Sequence, residues 1–274
     1  MNGQPGTAYA HGTQVMGEGQ RVYETIRVEV RESTCFLQID RPEANNTIND
    51  LLVAECSEVL SACEDSVTVV VLSGSPEVFC FGADFNAIGR ISAADAQDAD
   101  PGPLYDLWLR LATGPYVTIS HVRGKANAGG VGFVAASDIV LADETAQFSL
   151  SELLFGLYPA CVLPFLIRRL GFQRAHYLTL MTQPLPARQA CEWGLVDAVE
   201  PQSEVLLRRH LQRLRRLSKV AIRRYKDYVS RIGLSLHDLK APAVAGNREV
   251  FTDAANLQAI ARYVEHGVFP WEVR

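Results

Sequence analysis

The stretch Gly124-Lys125-Ala126-Asn127-Ala128-Gly129-Gly130-Val131-Gly132 determines the interpretation of this chain. It lies between an apolar run typical of a strand (residues 117–122) and a short apolar run typical of a helix (residues 133–136). Small residues at such a junction let a ligand approach backbone N–H groups closely. N–H groups at the start of a helix also lie at the positive end of its dipole. The stretch therefore predicts a turn that binds a partly negative oxygen.

A second turn of the same kind, Cys80-Phe81-Gly82-Ala83-Asp84-Phe85, lies upstream. It again places small residues between a predicted strand and a predicted helix. If N–H groups from both turns converge on one point, they form an oxyanion hole, in which each donor contributes roughly 3–4 kcal/mol. Either turn alone is better explained as an ordinary tight turn, so the interpretation depends on the motifs around them.

The overall composition favours an ordinary globular protein. The chain has 274 residues, 48% of them hydrophobic, and a net charge of −5, which argues against general nucleic-acid binding. No apolar run reaches the roughly 18 residues that span a membrane, and the N-terminus lacks a secretory pattern.

The six cysteines form no C-x-x-C pair. We predict a cytoplasmic protein with free thiols and no metal site. The absence of a G-x-G-x-x-G or P-loop motif disfavours nucleotide chemistry.

The pattern of the chain predicts an α/β core followed by helices. Residues 22–40 predict two strands with a turn near Glu32-Ser33, and Asn49 or Asp50 is placed to cap the next helix. Residues 68–74 predict a strand buried on both faces. We assign residues 1–20 to a flexible tail, 21–202 to the core and 203–274 to a C-terminal helical region in which only Gly233 and Pro242 interrupt the helical pattern. Residues 91–103 predict a mobile loop.

An ordered series of motifs accompanies the two turns, and the series resembles the crotonase (enoyl-CoA hydratase/isomerase) superfamily from about residue 22 to the end. The motifs are RP (41–42) with Asn45, Asn46 and Asn49; FGAD (81–84); residues 124–130; SDI (137–139); AQF (146–148); SEL (151–153) with Gly156 and Pro159; and Ala190 with WGLVD (193–197).

The resemblance implies a spiral of ββα repeats with a C-terminal helical trimerisation region, and a homotrimer or a dimer of trimers. It implies that a thioester oxygen binds between the N–H groups of Ala83 and Gly129, and that Glu152 is the catalytic carboxylate. It also implies that residues 41–46, with Arg41 and Asn45 as candidate ligands, lie near the pantetheine or adenine end of the substrate. No cofactor is implied. The apolar neighbours of Glu152 predict a raised pKa, which suits proton transfer near neutral pH.

Two departures from the hydratase pattern narrow the prediction. Hydratases of the family have a second glutamate at the position that Gly132 occupies in this chain. They also have a glycine-rich run after the proline that corresponds to Pro159, whereas here Pro159 is followed by Ala-Cys-Val-Leu-Pro. These features resemble the subgroup that dehydrates 3-hydroxy-3-methylglutaryl groups on acyl carrier proteins in polyketide β-branching. Glu152 favours this dehydratase over the decarboxylase of the same pathway. A CoA-linked hydratase or isomerase, and a non-catalytic acyl-thioester scaffold, remain as alternatives.

Further candidates surround this core assignment. Asp84 and Tyr158 are secondary catalytic candidates, although Asp84 is also placed to cap a helix and Tyr158 to form a pocket wall. Lys125 and Asn127 are candidates for binding the distal carboxylate of the substrate. A basic run at residues 208–226 is either a solvated helix face or a surface for an acidic carrier protein or CoA phosphates. Its candidate ligands are Arg216, Lys219, Arg223 and Lys226.

Overall fold

A computed structural model describes residues 22–89 and 99–272. The predicted tail at 1–20 and most of the predicted loop at 91–103 lie outside the described residues. The strands are β1 (Ile26–Arg31), β2 (Thr34–Ile39), β3 (Val69–Ser73), β4 (Val78–Cys80), β5 (Val117–Val122), β6 (Lys125–Asn127), β7 (Ile139–Ala142), β8 (Gln147–Ser149), β9 (Leu185–Pro186) and β10 (Ala198–Val199).

The helices interleave with these strands and then continue alone. They are α1 (Asp50–Ala62), α2 (Phe85–Ile88), α3 (Gly102–Thr113), α4 (Gly129–Ala136), α5 (Leu163–Leu170), α6 (Phe172–Met181), α7 (Ala187–Trp193), α8 (Ser203–Leu214), α9 (Lys219–Ile232), α10 (Lys240–Thr252) and α11 (Ala254–His266). Short 3₁₀ helices span Pro42–Ala44, Glu152–Phe155 and Pro270–Glu272. Asn49 caps α1 through its side chain, as predicted.

From β3 to β8, successive strands alternate between two sheets. One sheet has the order β1-β2-β3-β5-β7-β10 and the other β4-β6-β8-β9. Each pair β3–β4, β5–β6 and β7–β8 thus gives one strand to each sheet before the chain turns into a helix. Apart from the antiparallel pairs β1–β2 and β8–β9, all pairs are parallel. This topology confirms the predicted ββα repeats, and it places the ends of β4, β6 and β8 side by side.

Strand β3 is buried on both faces, as the apolar run predicted. Val70 and Leu72 belong to the main core, whereas Val69 and Val71 pack in a second cluster with leucines of α8. Since every side chain of the run from Val69 to Leu72 is at most 3% exposed, neither face of the strand admits a polar residue. The helix α8 therefore acts as a cover for the large sheet.

The C-terminal helices α10 and α11 pack back onto the region around Glu152. Phe155 and Leu157 form a third apolar cluster with Val250 of α10 and Ile260 of α11. The sequence had predicted a break at Pro242, but Pro242 lies within the first turn of α10, where its missing N–H costs no hydrogen bond. Likewise Gly102 and Pro103, predicted as loop, form the start of α3.

The basic run contains one residue that is not a surface cation. Lys226 is 3% exposed, and its Nζ donates hydrogen bonds to both carboxylate oxygens of Asp138, with Nζ–Oδ2 at 2.7 Å. Burial lowers the pKa of Lys226, and the Asp138 carboxylate opposes that shift. The prediction that Lys226 contacts a carrier protein is therefore wrong, because the residue ties α9 to the strand β7 region.

Replacing Lys226 with Met should lower the free energy of unfolding by about 3 kcal/mol, because it leaves Asp138 without its buried cation. The matched control is Arg224→Met on the exposed side of the same helix, which should change stability by less than about 0.5 kcal/mol. Urea unfolding measures both. Equal effects of the two substitutions would contradict the structural assignment of Lys226.

Candidate active site

A cavity of about 1380 Å³ opens where β4, β6 and β8 end. Residues from both predicted turns line it, together with Glu152 and residues of α3, α10 and α11. The structure therefore brings together Ala83, Gly129 and Glu152, which lie far apart in the sequence. The volume is large enough for an acyl chain and part of a pantetheine arm.

The first turn is fixed by the loop that follows β2. Ile48 N–H donates to the carbonyl of Gly82 at 2.7 Å, and Ile48 and Ala83 form an isolated parallel bridge. Arg41 lies 3.5 Å from the carboxylate of Asp84 and donates to the carbonyl of Thr47 at 2.5 Å. These contacts fix the direction of the Ala83 N–H group.

The second turn approaches the first closely. A Cβ added to Gly82 would lie 2.7 Å from Cβ of Ala128 and 3.1 Å from N of Gly129. Ala128 itself has φ +50° and ψ −119°, a conformation that costs a side-chain-bearing residue about 1–3 kcal/mol. Its N–H donates to the carbonyl of Ser149 at 2.9 Å, which holds the turn in place.

The two predicted donors are free within the described part of the chain. Neither Ala83 N–H nor Gly129 N–H donates a hydrogen bond to any described residue. Gly129 is the first residue of α4, and the first N–H groups of a helix have no partner within it. Two N–H groups that lie close together and line one cavity have the arrangement of an oxyanion hole.

The carboxyl group of Glu152 is buried in the same cavity as this pair. The residue is 8% exposed, and its Oε2 has no hydrogen-bond partner among the described residues. Burial raises the pKa of Glu152 from 4.5 to about 7, against hydrogen bonds from the N–H groups of Glu152 and Ser151, which lower it. A carboxyl group with this pKa exchanges protons readily near neutral pH.

The position of Gly132 admits no second carboxylate. A Cβ added there would lie 2.4 Å from Cζ2 of Trp108 and 2.6 Å from its Cη2. Trp108 is 1% exposed and packs edge-to-face against Phe133 and Phe165. The indole ring therefore occupies the space next to residue 132, and Glu152 is the one buried carboxyl among the described residues that line the cavity.

Asp84 and Tyr158 have structural partners. Asp84 caps α2, with its Oδ1 accepting from the N–H of Ala87 at 3.2 Å, and it also pairs with Arg41. Tyr158 lines the cavity, but its hydroxyl donates to Glu249 at 3.1 Å. Burial raises the pKa of Tyr158, and its bond to Glu249 raises it further. These contacts favour a cap and a pocket wall over direct proton transfer.

Asn127 belongs to a small polar network inside the cavity. Its Oδ1 accepts from Oγ of Ser149 at 2.8 Å, and its Nδ2 donates to Oγ of Ser151 at 3.1 Å. All three side chains line the cavity, and Ser151 directly precedes Glu152. The network thus connects Asn127, which precedes the Ala128–Gly129 turn, to Ser151, which precedes Glu152. Lys125 also lines the cavity, two residues earlier on β6.

The predicted substrate or carrier ligands fall into two groups. Asn45 lines the cavity, whereas Arg41 supports the first turn as described above. The cations at 216, 219 and 223 do not line it. Lys219 donates to the carbonyl of Val67 at 2.6 Å, and Arg223 donates to the carbonyl of Glu64 at 3.0 Å. Arg216 is exposed. If these residues contact a carrier, they do so on the outer surface.

The sequence model of the enoyl-CoA hydratase/isomerase family matches residues 29–274. The chain belongs to this family. It is an enzyme of the hydro-lyase type, as predicted. The dehydratase PksH of bacillaene synthase from Bacillus subtilis (strain 168) is 60% identical over 252 residues, which are 91% of this chain and 97% of that protein.

Solved structures of the enoyl-CoA hydratase family show the same fold. The crystal structure of the polyketide biosynthesis enoyl-CoA hydratase PksH from Bacillus subtilis has a TM-score of 0.86 and 58% identity, covering 91% of this chain and all of that one. An enoyl-CoA hydratase from Mycobacterium avium subsp. paratuberculosis K-10 has a TM-score of 0.77 at 23% identity, covering 90% of this chain and 98% of that one. The predicted crotonase fold is thus confirmed.

Sequence reasoning missed several cavity residues of this family member. Trp108 lies in a helix with an unremarkable amphipathic pattern, and Ser149 and Ser151 are ordinary residues of a strand end. Arg248 and Phe251 come from α10, more than ninety residues after Glu152. Only the tertiary fold brings them to the site.

Among the residues that the structure describes, no helix is both long enough and apolar enough to cross a membrane.

Gly132→Ala should destabilise the enzyme by about 1–3 kcal/mol, because the new methyl group collides with a buried indole ring. The same substitution in a Trp108→Leu background should cost much less, since the smaller side chain leaves room. Urea unfolding of the wild type, both single variants and the double variant measures this coupling. An equal cost of Gly132→Ala in both backgrounds would contradict the contact.

Proposed function

We propose that this enzyme dehydrates a 3-hydroxy-3-methylglutaryl thioester on an acyl carrier protein to the 3-methylglutaconyl thioester, as a step of polyketide β-branching. The observation that carries the proposal is the single buried carboxyl of Glu152 in the same cavity as the free N–H groups of Ala83 and Gly129. The 60% identity to a polyketide-synthase dehydratase supports the direction of the reaction.

The first step of the proposed mechanism is proton removal. The N–H groups of Ala83 and Gly129 polarise the thioester carbonyl, and the Glu152 carboxylate takes a proton from C2. The electron pair of the C2–H bond moves onto the carbonyl oxygen, and the resulting enolate is stabilised by the two N–H donors. These donors act mainly on the charge that develops during the reaction, which is what accelerates it.

The second step is loss of the hydroxyl group. The enolate electrons form the C2–C3 double bond while the C3–O bond breaks. Glu152 returns its proton to the departing hydroxyl, which leaves as water, and the carboxylate is regenerated. One carboxyl performs both transfers, so the proton and the hydroxyl leave from the same face of the substrate. A pKa of about 7 for Glu152 fits both roles.

Other cavity residues have supporting roles in the proposal. Asn127, held by Ser149 and Ser151, supplies hydrogen bonds to the acyl or pantetheine portion. Trp108 fills the space beside Gly132 and keeps a second water-holding group out of the site. Asn45 contacts the pantetheine end, while Arg41 and Asp84 hold the Ala83 turn.

The proposed acyl donor is a phosphopantetheine-linked carrier protein. Carrier proteins are acidic, and exposed cations lie on the outside of this region. The retained candidates are Arg216, in the segment between α8 and α9, and Arg223 on α9. We propose that the chain acts in the cytoplasm as a homotrimer or a dimer of trimers. Residues 203–274 would then contribute both to assembly and to the cavity wall.

The direct test supplies the 3-hydroxy-3-methylglutaryl group on a carrier protein and on CoA, and follows loss of one water by mass spectrometry. The wild type should dehydrate the carrier-bound group at the higher kcat/KM. Glu152→Gln should lower kcat by about 10²–10⁴-fold, since it removes the acid–base group. The control is Glu192→Gln, an exposed residue of α7, which should behave as the wild type.

The remaining outcomes separate the alternatives. Preference for CoA would indicate a CoA-linked hydratase or isomerase, and loss of carbon dioxide would indicate a decarboxylase. Binding without any change of mass would indicate a scaffold. A near-normal rate in Glu152→Gln would remove Glu152 from the mechanism.

A further inference from the structure

Two cations line the cavity within the described residues, Lys125 and Arg248. They lie on different elements of the fold, one on the small sheet and the other on α10. The proposed substrate carries a free carboxylate at the end of its acyl chain, and a carboxylate taken from water into an apolar cavity needs a cation or several donors. The position of each cation decides which one meets that group.

Lys125 is the first residue of β6, an inner strand of the small sheet, and lies at the opposite end of that strand from the Ala128–Gly129 turn. Its strand neighbour Gln147 pairs in turn with Pro186 of β9, and Thr182 and Pro184 line the cavity nearby. Along β6 the chain runs from Lys125 through Asn127 before it reaches Gly129, at about 3.3 Å per residue. Residues 126–128, which include Asn127 of the polar network, thus lie between Lys125 and Gly129 along the chain.

Arg248 lies on the side of the cavity formed by the start of α3. Its Nη2 donates to Oδ1 of Asp100 at 2.9 Å, and the same Oδ1 accepts from the N–H of Gly102 at 3.0 Å. Asp100 is therefore anchored at the beginning of α3 and holds the guanidinium in position. Trp108, which borders Gly129 and Gly132, lies six residues after Gly102 in α3. The two residues are therefore about 9 Å apart along the helix axis.

The surroundings of Arg248 are those of an acyl-chain pocket. Gly246, two residues earlier on α10, packs on Tyr158, with an added Cβ only 3.0 Å from the tyrosine hydroxyl. The lining at this end is largely apolar and comes from α3, α10 and the segment after Glu152. It consists of Pro101, Pro103, Leu104, Tyr158, Cys161, Val162 and Phe251.

The guanidinium of Arg248 has capacity for a ligand. An arginine carries five N–H donors in a planar fork, and the structure shows one hydrogen bond from this side chain to the described residues, the bond to Asp100. The side chain is 51% exposed, and the residue lines the cavity. The remaining donors match the two oxygens of a carboxylate, which arginine binds with both arms of its fork.

We propose that Arg248 binds the free carboxylate at the far end of a dicarboxylic acyl thioester, and thereby selects such substrates over uncharged acyl groups. This subsite deepens the proposed function and rests on it for the identity of the natural substrate. Asp100 orients Arg248 from the protein side, while the thioester oxygen occupies the Ala83 and Gly129 turns at the other end of the acyl chain.

The experiment measures binding of two ligands that cannot be dehydrated, glutaryl-pantetheine and butyryl-pantetheine, by calorimetry to the full-length enzyme. The pair differs in the terminal carboxylate, and neither ligand has a hydroxyl group to eliminate. The wild type should bind the glutaryl thioester about tenfold more tightly than the butyryl thioester. This is the gain expected from hydrogen bonds between a half-exposed arginine and a carboxylate. Arg248→Gln should abolish this preference without changing butyryl binding, and Arg248→Lys should retain part of it.

Two further variants complete the design. Arg262→Gln removes an exposed cation from the neighbouring helix α11 and should keep the full preference, as a control for net charge. Lys125→Gln tests the rival cation. Loss of the preference in Lys125→Gln but not in Arg248→Gln, or no preference in the wild type, would overturn the proposal. Because no chemistry is required, this result is independent of whether the enzyme dehydrates the hydroxymethylglutaryl group.

Discussion

The contact between the Gly82–Ala83 turn and the Ala128–Gly129 turn is the constraint on which the site depends. The turns meet because β4 and β6 are neighbours in the small sheet and both end at the same edge. The approach leaves no space for a Cβ at Gly82, and Ala128 accepts an unfavourable backbone conformation to complete it. Strain of this kind persists only where the surrounding structure holds it. Here it directs two N–H groups into one cavity.

Burial of Glu152 is the second feature on which the proposed chemistry depends. The aromatic and aliphatic cluster around Phe155, built from α10 and α11, covers the segment that begins at Glu152. Burial of the carboxyl group raises the pKa of Glu152 to about 7. Trp108 excludes a second carboxylate from residue 132. The site therefore combines one tuned acid with one pair of N–H donors, a set that suits enolate formation and elimination better than two-acid water addition.

Local patterns predicted what local sequence determines. The strand buried on both faces, the cap at Asn49, the two small-residue turns and the raised pKa of Glu152 follow from neighbours in the chain, and the structure has all four. The departures have tertiary causes. In the sequence, Lys226 looks like one more residue of the basic run. Its partner Asp138 lies 88 positions away, so the local pattern does not indicate the ion pair. Trp108 and Arg248 enter the cavity from helices whose sequences show only amphipathic periodicity, so nothing in their neighbourhoods marks them as site residues.

The central claim is that Glu152 is the base that removes the C2 proton. The most direct measurement is exchange of the C2 hydrogens of glutaryl-pantetheine with deuterium oxide, followed by mass spectrometry from about pH 5 to pH 9. Because the carboxylate form is the base, kcat/KM for exchange should rise with pH to a plateau with a midpoint near 7, the pKa of Glu152. Exchange should disappear in Glu152→Gln. Undiminished exchange in that variant, or a rate independent of pH over this range, would contradict the account.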